Sequence, residues 1–174
     1  EDLAASNFIF GRANIDGRPV VASADDFTVR GGAADAALHR KFVQCEAMAH
    51  EYRLPLIRMI DGTGGGGSVK TLEDMGYTYI PHVPGWDEII ANLDTVPVVA
   101  LALGPTAGLG AARVVASHYS VMVRGLSQLF AAGPAVAAAI GDTLDREELG
   151  GSDVHTRNGV VDDEVASEAE AFAA

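Results

Sequence analysis

The sequence predicts a single α/β domain, and three observations carry that expectation. Helical patterns alternate with short apolar stretches of strand type, as in proteins whose sheet is covered on both sides. Two of these stretches, Leu56 to Ile60 and Val96 to Leu103, run straight into glycine-rich segments, the sign of a strand that must turn. The chain has 174 residues, 48% apolar and 21% charged, and at this length folding buries ~70% of the unfolded surface around one core.

Taken in order, Gly17 to Phe27 reads as two short strands around a turn, with Gly17-Arg18-Pro19 as punctuation and Val20-Val21 buried. Gly31-Gly32 then breaks the extended chain. From Ala34 to Leu54, the residues Leu38, Phe42, Cys45, Ala49 and Tyr52 recur at spacings of three and four, the stripe of a core-facing helix. Pro55 cannot continue that helix, and Leu56 to Ile60 forms a strand ending at Asp61 and the loop Gly62-Thr63-Gly64-Gly65-Gly66-Gly67. Trp86 to Leu93 gives a second amphipathic helix. The strand Val96 to Leu103 leads into Gly104-Pro105-Thr106-Ala107-Gly108-Leu109-Gly110, from which a third helix is predicted to about Tyr119, followed by a strand over Ser120 to Val123. Ala135 to Ile140 and Asp163 to Phe172 read as two further helices. Alanine runs such as Ala137-Ala138-Ala139 point to close helix packing and to self-association through helix faces. The sequence has no internal repeat, heptad array or linker.

The charge balance excludes some partners. Against 24 acidic residues stand 12 basic ones, a net charge of −12, and the ten arginines and two lysines form no basic run, so nucleic acid is not an expected ligand. The longest apolar stretch is far below the ~20 residues that span a bilayer. The N-terminus opens on Glu1-Asp2 with no signal-peptide pattern, so a cytoplasmic location is expected. Cys45 stands alone, which excludes an intrachain disulfide and a thiolate-rich zinc site, and it reads as a small buried hydrophobe.

Chemistry concentrates at the two strand-to-glycine junctions, Asp61 and Gly104. Glycine lets main chain approach a ligand closely and aims successive N–H groups at it, and a helix starting just beyond adds its own unpaired N–H groups. Both junctions are therefore candidate anion or oxyanion sites. A dinucleotide loop at Gly104 fails, because it belongs on a first strand and because neither Lys41 nor Lys70 has a tyrosine four residues earlier to complete a dehydrogenase pair. A phosphate-binding P-loop fails as well, since no Gly-Lys-Ser/Thr occurs. There is no Gly-x-Ser-x-Gly elbow, and Ser152, Asp153 and His155 are too close in sequence to be read as a triad. His39 and His50 lie three turns apart on one helix, while His82, His118 and His155 lack partners at ligand spacing, so no metal site is expected and solvated or capping roles are assigned. Glu147-Glu148 and Asp162-Asp163-Glu164 read as solvated helix starts. A scaffold rich in main-chain donors and poor in side-chain catalysts suits stabilisation of charge on a carbonyl oxygen, as in enolate chemistry of a thioester.

The ordered motifs resemble the carboxyltransferase (β) subunit of biotin-dependent acyl-CoA carboxylases, the propionyl-CoA, methylcrotonyl-CoA and acetyl-CoA carboxylase family. They are Gly17-Arg18-Pro19-Val20 with Asp26 to Gly32, Leu54 to Asp61 with its glycines, Val96 through Gly104-Pro105-Thr106-Ala107-Gly108, Leu129 to Pro134, Glu148 to His155, and the closing Asn158-Gly159-Val160. The resemblance implies a crotonase-like ββα superhelix and carboxyl transfer from carboxybiotin to the α-carbon of an acyl-CoA, with backbone amides holding the thioester oxygen. Carried over by position, Gly108 and Leu109 supply those amides, Gly31, Gly32, Gly64, Gly65 and Gly66 line the CoA channel, and Ala107 contacts substrate. Biotin would arrive on a separate carboxyl carrier protein after loading by a biotin carboxylase subunit, because this chain has neither a biotinyl-lysine motif nor an ATP loop. For CoA phosphates, Arg12, Arg18, Arg30, Arg40 and Lys41 are the nearest cations in sequence.

Three departures stand out. Leu109 replaces the family's second oxyanion glycine, Gly64 to Gly67 replaces a Gly-Gly-Ala-Arg, and a full family subunit is about twice this long, so the chain is expected to be the N-terminal half and to require the C-terminal carboxyltransferase half. Two alternatives accompany this reading: a decarboxylase of a malonyl-type thioester in the same superfamily, and a non-catalytic assembly domain.

Overall fold

A computed structural model describes residues 6–34, 39–62, 64–65, 73, 76, 85–141 and 143–174. The first turn is set by Asp16-Gly17, whose φ values of 50° and 82° match the paired positive φ of the tightest hairpin turns. Asn14 Oδ1 accepts the Gly17 N–H at 2.7 Å. The flanking strands are therefore β1, Phe8–Ile15, and β2, Arg18–Asp25, and the hairpin begins well before the Gly17 start read from the sequence. A tight turn at Arg30–Gly32 leads to the two-residue strand β3, Ala33–Ala34. Helix α1, His39–Tyr52, ends before Pro55, and β4, Leu56–Ile60, follows.

Gly64–Gly65 is a strand, β5, paired in parallel with β3, where the sequence suggested loop. Next come α2, Trp86–Thr95, and β6, Val98–Ala102. Pro105–Ala107 then forms β7 and only afterwards does α3, Leu109–Val115, begin. That helix is shorter at both ends than predicted, because β7 pairs in parallel with β9, Gln128–Phe130, and because β8 already starts at Tyr119 and runs to Val123. The C-terminal part comprises α4, Pro134–Ala139, α5, Arg146–Gly150, α6, Ser152–Arg157, β10, Asp163–Val165, and α7, Glu168–Ala173. Asp163 to Val165 were read as helix, but β8 recruits them as a parallel edge strand. Asp162 accepts from Ser120 N at 2.8 Å, and Glu164 pairs with Arg124 and Ser152, so this acidic run is bonded rather than a solvated helix start. Glu148 does begin a helix, closing a capping box with Asp145.

The main sheet has six strands in the order β1-β2-β4-β6-β8-β10, antiparallel only between β1 and β2. One face carries Val21, Leu56 and Val98 against Phe42, Cys45 and Ala49 of α1 and Ile89 of α2. Farther along, Ile60, Ala100 and Met122 meet Val114 of α3. The other face is only partly closed: Leu101, Val121 and Val123 meet Ala171 of α7, while Met59 and Val99 stay half-buried. Burial, followed by the neighbouring Glu46 charge, pushes the Cys45 thiol up to about 12, so it is an inert core group as expected.

One charge sits in the middle of this core. The alternation of β4 turns Arg58 to the same buried face as Leu56 and Ile60, and its side chain is 0% exposed. Its Nε and Nη2 each donate to a Glu46 carboxylate oxygen of α1 at 2.9 Å, and its Nη1 donates to the carbonyls of Arg113 at 3.2 Å and Ala116 at 2.6 Å. Asn92 of α2 completes the cluster, its Nδ2 donating to Glu46 Oε2 at 2.9 Å and to the Glu46 carbonyl at 3.0 Å. One strand and three helices thus meet at a two-pronged ion pair in which all three guanidinium nitrogens of Arg58 are engaged. Removing one member strands the other in an apolar core, so Arg58→Met is expected to lower unfolding free energy by about 3–5 kcal/mol. Urea denaturation checks this, and the Glu46→Met/Arg58→Met double variant should recover most of the loss.

Candidate active site

Because β2, β4, β6 and β8 run parallel, their C-terminal ends share one edge, where three glycine turns converge. After β2, Gly31 and Gly32 have φ of 63° and 65°. A Cβ on Gly32 would lie 2.6 Å from both the Asp61 carbonyl and Gly62 Cα, and one on Gly62 would lie 2.8 Å from the Gly32 carbonyl. The first two turns therefore touch main chain to main chain, and only glycine fits. Pairing of Ala33–Ala34 with Gly64–Gly65 continues that contact, and α3 packs against Gly64–Gly65. After β6, a Cβ on Gly104 would collide with the Asp61 carboxyl group. The Ala107 N–H donates to the Gly62 carbonyl at 3.3 Å. Gly31, Gly32, Gly64, Gly65, Ala107, Gly108 and Leu109 are thus gathered at one edge, while Gly66 lies outside the described residues.

The two expected oxyanion amides do not have equal status. The Gly108 N–H donates to the Phe130 carbonyl at 2.9 Å, continuing the β7–β9 ladder, so its assignment as a free oxyanion donor is corrected: sheet pairing has consumed it. Gly108 has φ 57° and ψ −119°, a combination open to glycine alone. It turns the chain from strand into helix, and the next amide, that of Leu109, enters the first turn of α3, where no intrahelical carbonyl exists to receive it. Leu109 keeps that N–H whatever its side chain.

Beside this helix lies a cavity of about 270 Å³. Gly108, Ala111, Ala112 and Val115, one face of α3, form one wall, and Leu129, Phe130 and Ala131 form another. His155 and Val160 complete its lining. His155 was read as solvated or capping, yet it lines this cavity, with Nε2 at 2.9 Å from the Leu129 carbonyl. A carbonyl only accepts, so Nε2 carries the proton, and the buried Nδ1 has no hydrogen-bond partner. His118 also spans main chain, receiving Val98 N–H at Nδ1 and meeting the Leu93 carbonyl at Nε2. Ser152 and Asp153 point elsewhere, to Glu164 and Arg157, so no triad forms.

Charge near the glycine edge centres on Asp25, Asp61 and Arg113. Arg113 Nη1 donates to both Asp25 carboxylate oxygens at 3.1 Å. Asp25 Oδ2 in turn accepts the Asp61 N–H at 3.4 Å. The Arg113 guanidinium lies 5.3 Å from the Phe8 ring centre and 5.0 Å from that of Phe42. Of the cations proposed for CoA, Lys41 reaches the Phe8 carbonyl at 3.4 Å and Arg12 lies over the Tyr52 ring. Sequence reading passed over Glu46, Arg58, Asp25 and Arg113; a charged residue at a core-facing position of β4 or of the α1 stripe was the available signal.

Residues 2–174 match the carboxyl transferase domain family. The chain belongs to that family. It is 33% identical over 180 residues to the mitochondrial methylcrotonoyl-CoA carboxylase beta chain of Dictyostelium discoideum, covering 99% of this chain and 30% of that one. It is also 30% identical to the methylmalonyl-CoA decarboxylase subunit alpha of Veillonella parvula, over 89% of this chain and 30% of that protein. Among solved structures, transcarboxylase 12S with methylmalonyl-CoA and methylmalonic acid bound matches with a TM-score of 0.76 and 26% identity, covering 93% of this chain and 31% of that one. The chain thus spans about 30% of the length of these relatives, less than the half expected from the motifs. The fold is the crotonase-like α/β one that the motifs implied. Among the described residues no helix is long and apolar enough to cross a membrane.

The Asp61 carboxyl group is pushed above its ordinary 3.8, chiefly by burial and then by the neighbouring Asp25. Its charged form is thus disfavoured in the fold, and the native state gains stability from this group as pH falls through the raised value. Asp61→Asn is expected to raise Tm at neutral pH, with the advantage shrinking as pH approaches 3.8. A Tm difference independent of pH would contradict this.

Proposed function

We propose that this chain forms the acyl-CoA side of a carboxyltransferase site, in which a thioester enolate receives a carboxyl group from carboxybiotin. The observation that carries the reading is the turn at Gly108, which places the Leu109 N–H in the first turn of α3, where no intrahelical carbonyl receives it, at the edge where the glycine turns of the sheet meet. The glycine turns at Gly31–Gly32 and Gly64–Gly65 would pass the CoA chain, with Gly66 as their continuation, and Ala107 would flank the thioester. The Leu109 amide would hold the thioester oxygen as the α-proton leaves. Preorganised main-chain donors of this kind need no reorganisation as charge develops.

Among the described residues no carboxylate lines the cavity beside Gly108, which fits a reaction that brings its own base. When bound, carboxybiotin would supply both the carboxyl group and the acceptor for the α-proton. The chain's apolar wall of Ala111, Ala112 and Val115 would keep water from the enolate. The relatives' greater length supports a requirement for further carboxyltransferase sequence. The proposed partners are a biotin carboxyl carrier protein, a biotin carboxylase subunit and further copies of the chain, the last favoured by α4, in which Val136 and the following Ile140 are 55% and 84% exposed.

A second reading, decarboxylation of a malonyl-type thioester, is favoured by the likeness to the methylmalonyl-CoA decarboxylase subunit. It would use the same amide, and transfer to free biotin separates the two. Failure to bind any acyl-CoA once the missing sequence is restored would instead favour an assembly domain.

Leu109→Pro tests the amide directly. Proline is well placed at the first position of a helix, where it removes one N–H without breaking an internal bond. Carboxyl transfer by the assembled enzyme should fall by about 10²–10³-fold with Tm nearly unchanged, and wild-type turnover in that variant would refute the role.

A further inference from the structure

The Arg113–Asp25 pair joins residues 88 positions apart and is nearly buried, with side chains 10% and 9% exposed. Its composition is costly. The Arg113 Nε and Nη2 are buried without a hydrogen-bond partner, and a buried ion pair frequently contributes no net stability over apolar replacements. Each orphaned donor adds a desolvation penalty, only partly offset by the Phe8 and Phe42 ring faces. What the pair does supply is connection. Arg113 lies one turn beyond Leu109 in α3, and its carbonyl is held by Arg58. Asp25 ends β2, and through Asp61 N–H it also holds the end of β4, the residue whose carbonyl touches Gly32 and whose carboxyl group abuts Gly104. One ion pair therefore locks the helix that presents the Leu109 amide to both glycine turns.

We infer that Arg113 and Asp25 are positioning residues, which set the Leu109 amide in register with a thioester lying along the glycine edge. This rests on the acyl-CoA reading above and goes beyond it, since neither side chain touches the ligand. Displacing a reacting group by ~1 Å can cost ~10²-fold in rate, so a rigid link between the two halves of the site has a function that stability alone does not give it.

The test uses this chain assembled with the further carboxyltransferase sequence it is proposed to require, and two ligands: propionyl-CoA, and its S-propyl thioether analogue, which lacks the carbonyl oxygen. Calorimetric titration of the wild type should show about tenfold tighter binding of the thioester, the scale of one neutral hydrogen bond. In Arg113→Met and in Asp25→Asn the thioether should bind within about twofold of wild type while the preference falls towards unity, and Arg113→Lys should restore part of it. Backbone hydrogen exchange at Gly108 and Asp61 should accelerate together in the first two variants. Retention of the full preference would overturn the inference, as would parallel loss of both ligands in step with Tm. A wild-type assembly that binds neither compound, or both alike, would overturn the acyl-CoA reading and this inference with it.

Discussion

Arg58 is the constraint on which the rest of the structure depends. A guanidinium at the centre of a parallel sheet is tolerable only if a carboxylate and carbonyls surround it, and here Glu46, Asn92 and the last turn of α3 all do so. Those demands fix where α1, α2 and α3 stand relative to β4 before any apolar contact is counted. Hydrophobic burial supplies most of the folding free energy but has no direction. A two-pronged ion pair has direction, and this one is aimed at the helix whose other end begins at Gly108.

The site is accordingly built from main chain. Three strands end together, their turns are bare of Cβ atoms where they touch, and one glycine in a conformation closed to other residues converts a ladder bond into a helix start. The leucine side chain at 109 shapes the surroundings of the amide and leaves the amide in place. The net charge of −12 gives no general attraction to a phosphorylated ligand, so the proposed acyl-CoA binding would rest on local contacts along the glycine edge. The buried cation nearest that edge, Arg113, is already paired with Asp25.

Strand and helix order was legible because periodicity and proline-glycine punctuation are local signals, as at Pro55 and at Leu56 to Ile60. The failures were long-range. Pro105 to Ala107 looked like the start of a helix until Gln128 to Phe130, far along the chain, claimed them as a strand partner. Asp163 to Val165 carried a helix-start composition that β8 overrode. The same pairing that created β7 consumed the Gly108 amide, which no motif reveals, since a motif names residues and not the partners of their N–H groups. His155 was misread for a similar reason: its acceptor is the Leu129 carbonyl, 26 residues away. The junctions at Asp61 and Gly104, by contrast, are legible as strand ends, and β4 and β6 do end there, because the absence of a side chain is a property each glycine carries by itself.

The account comes down to which amide meets the thioester oxygen. Titrating the ¹⁵N-labelled chain, assembled with the further carboxyltransferase sequence, with propionyl-CoA and with the thioether analogue as control reads both candidates at once. The Leu109 amide resonance is expected to shift downfield with the thioester alone, while the Gly108 resonance, already bonded to Phe130, stays in place. A shift confined to Gly108, or the same response to both ligands, would contradict the assignment.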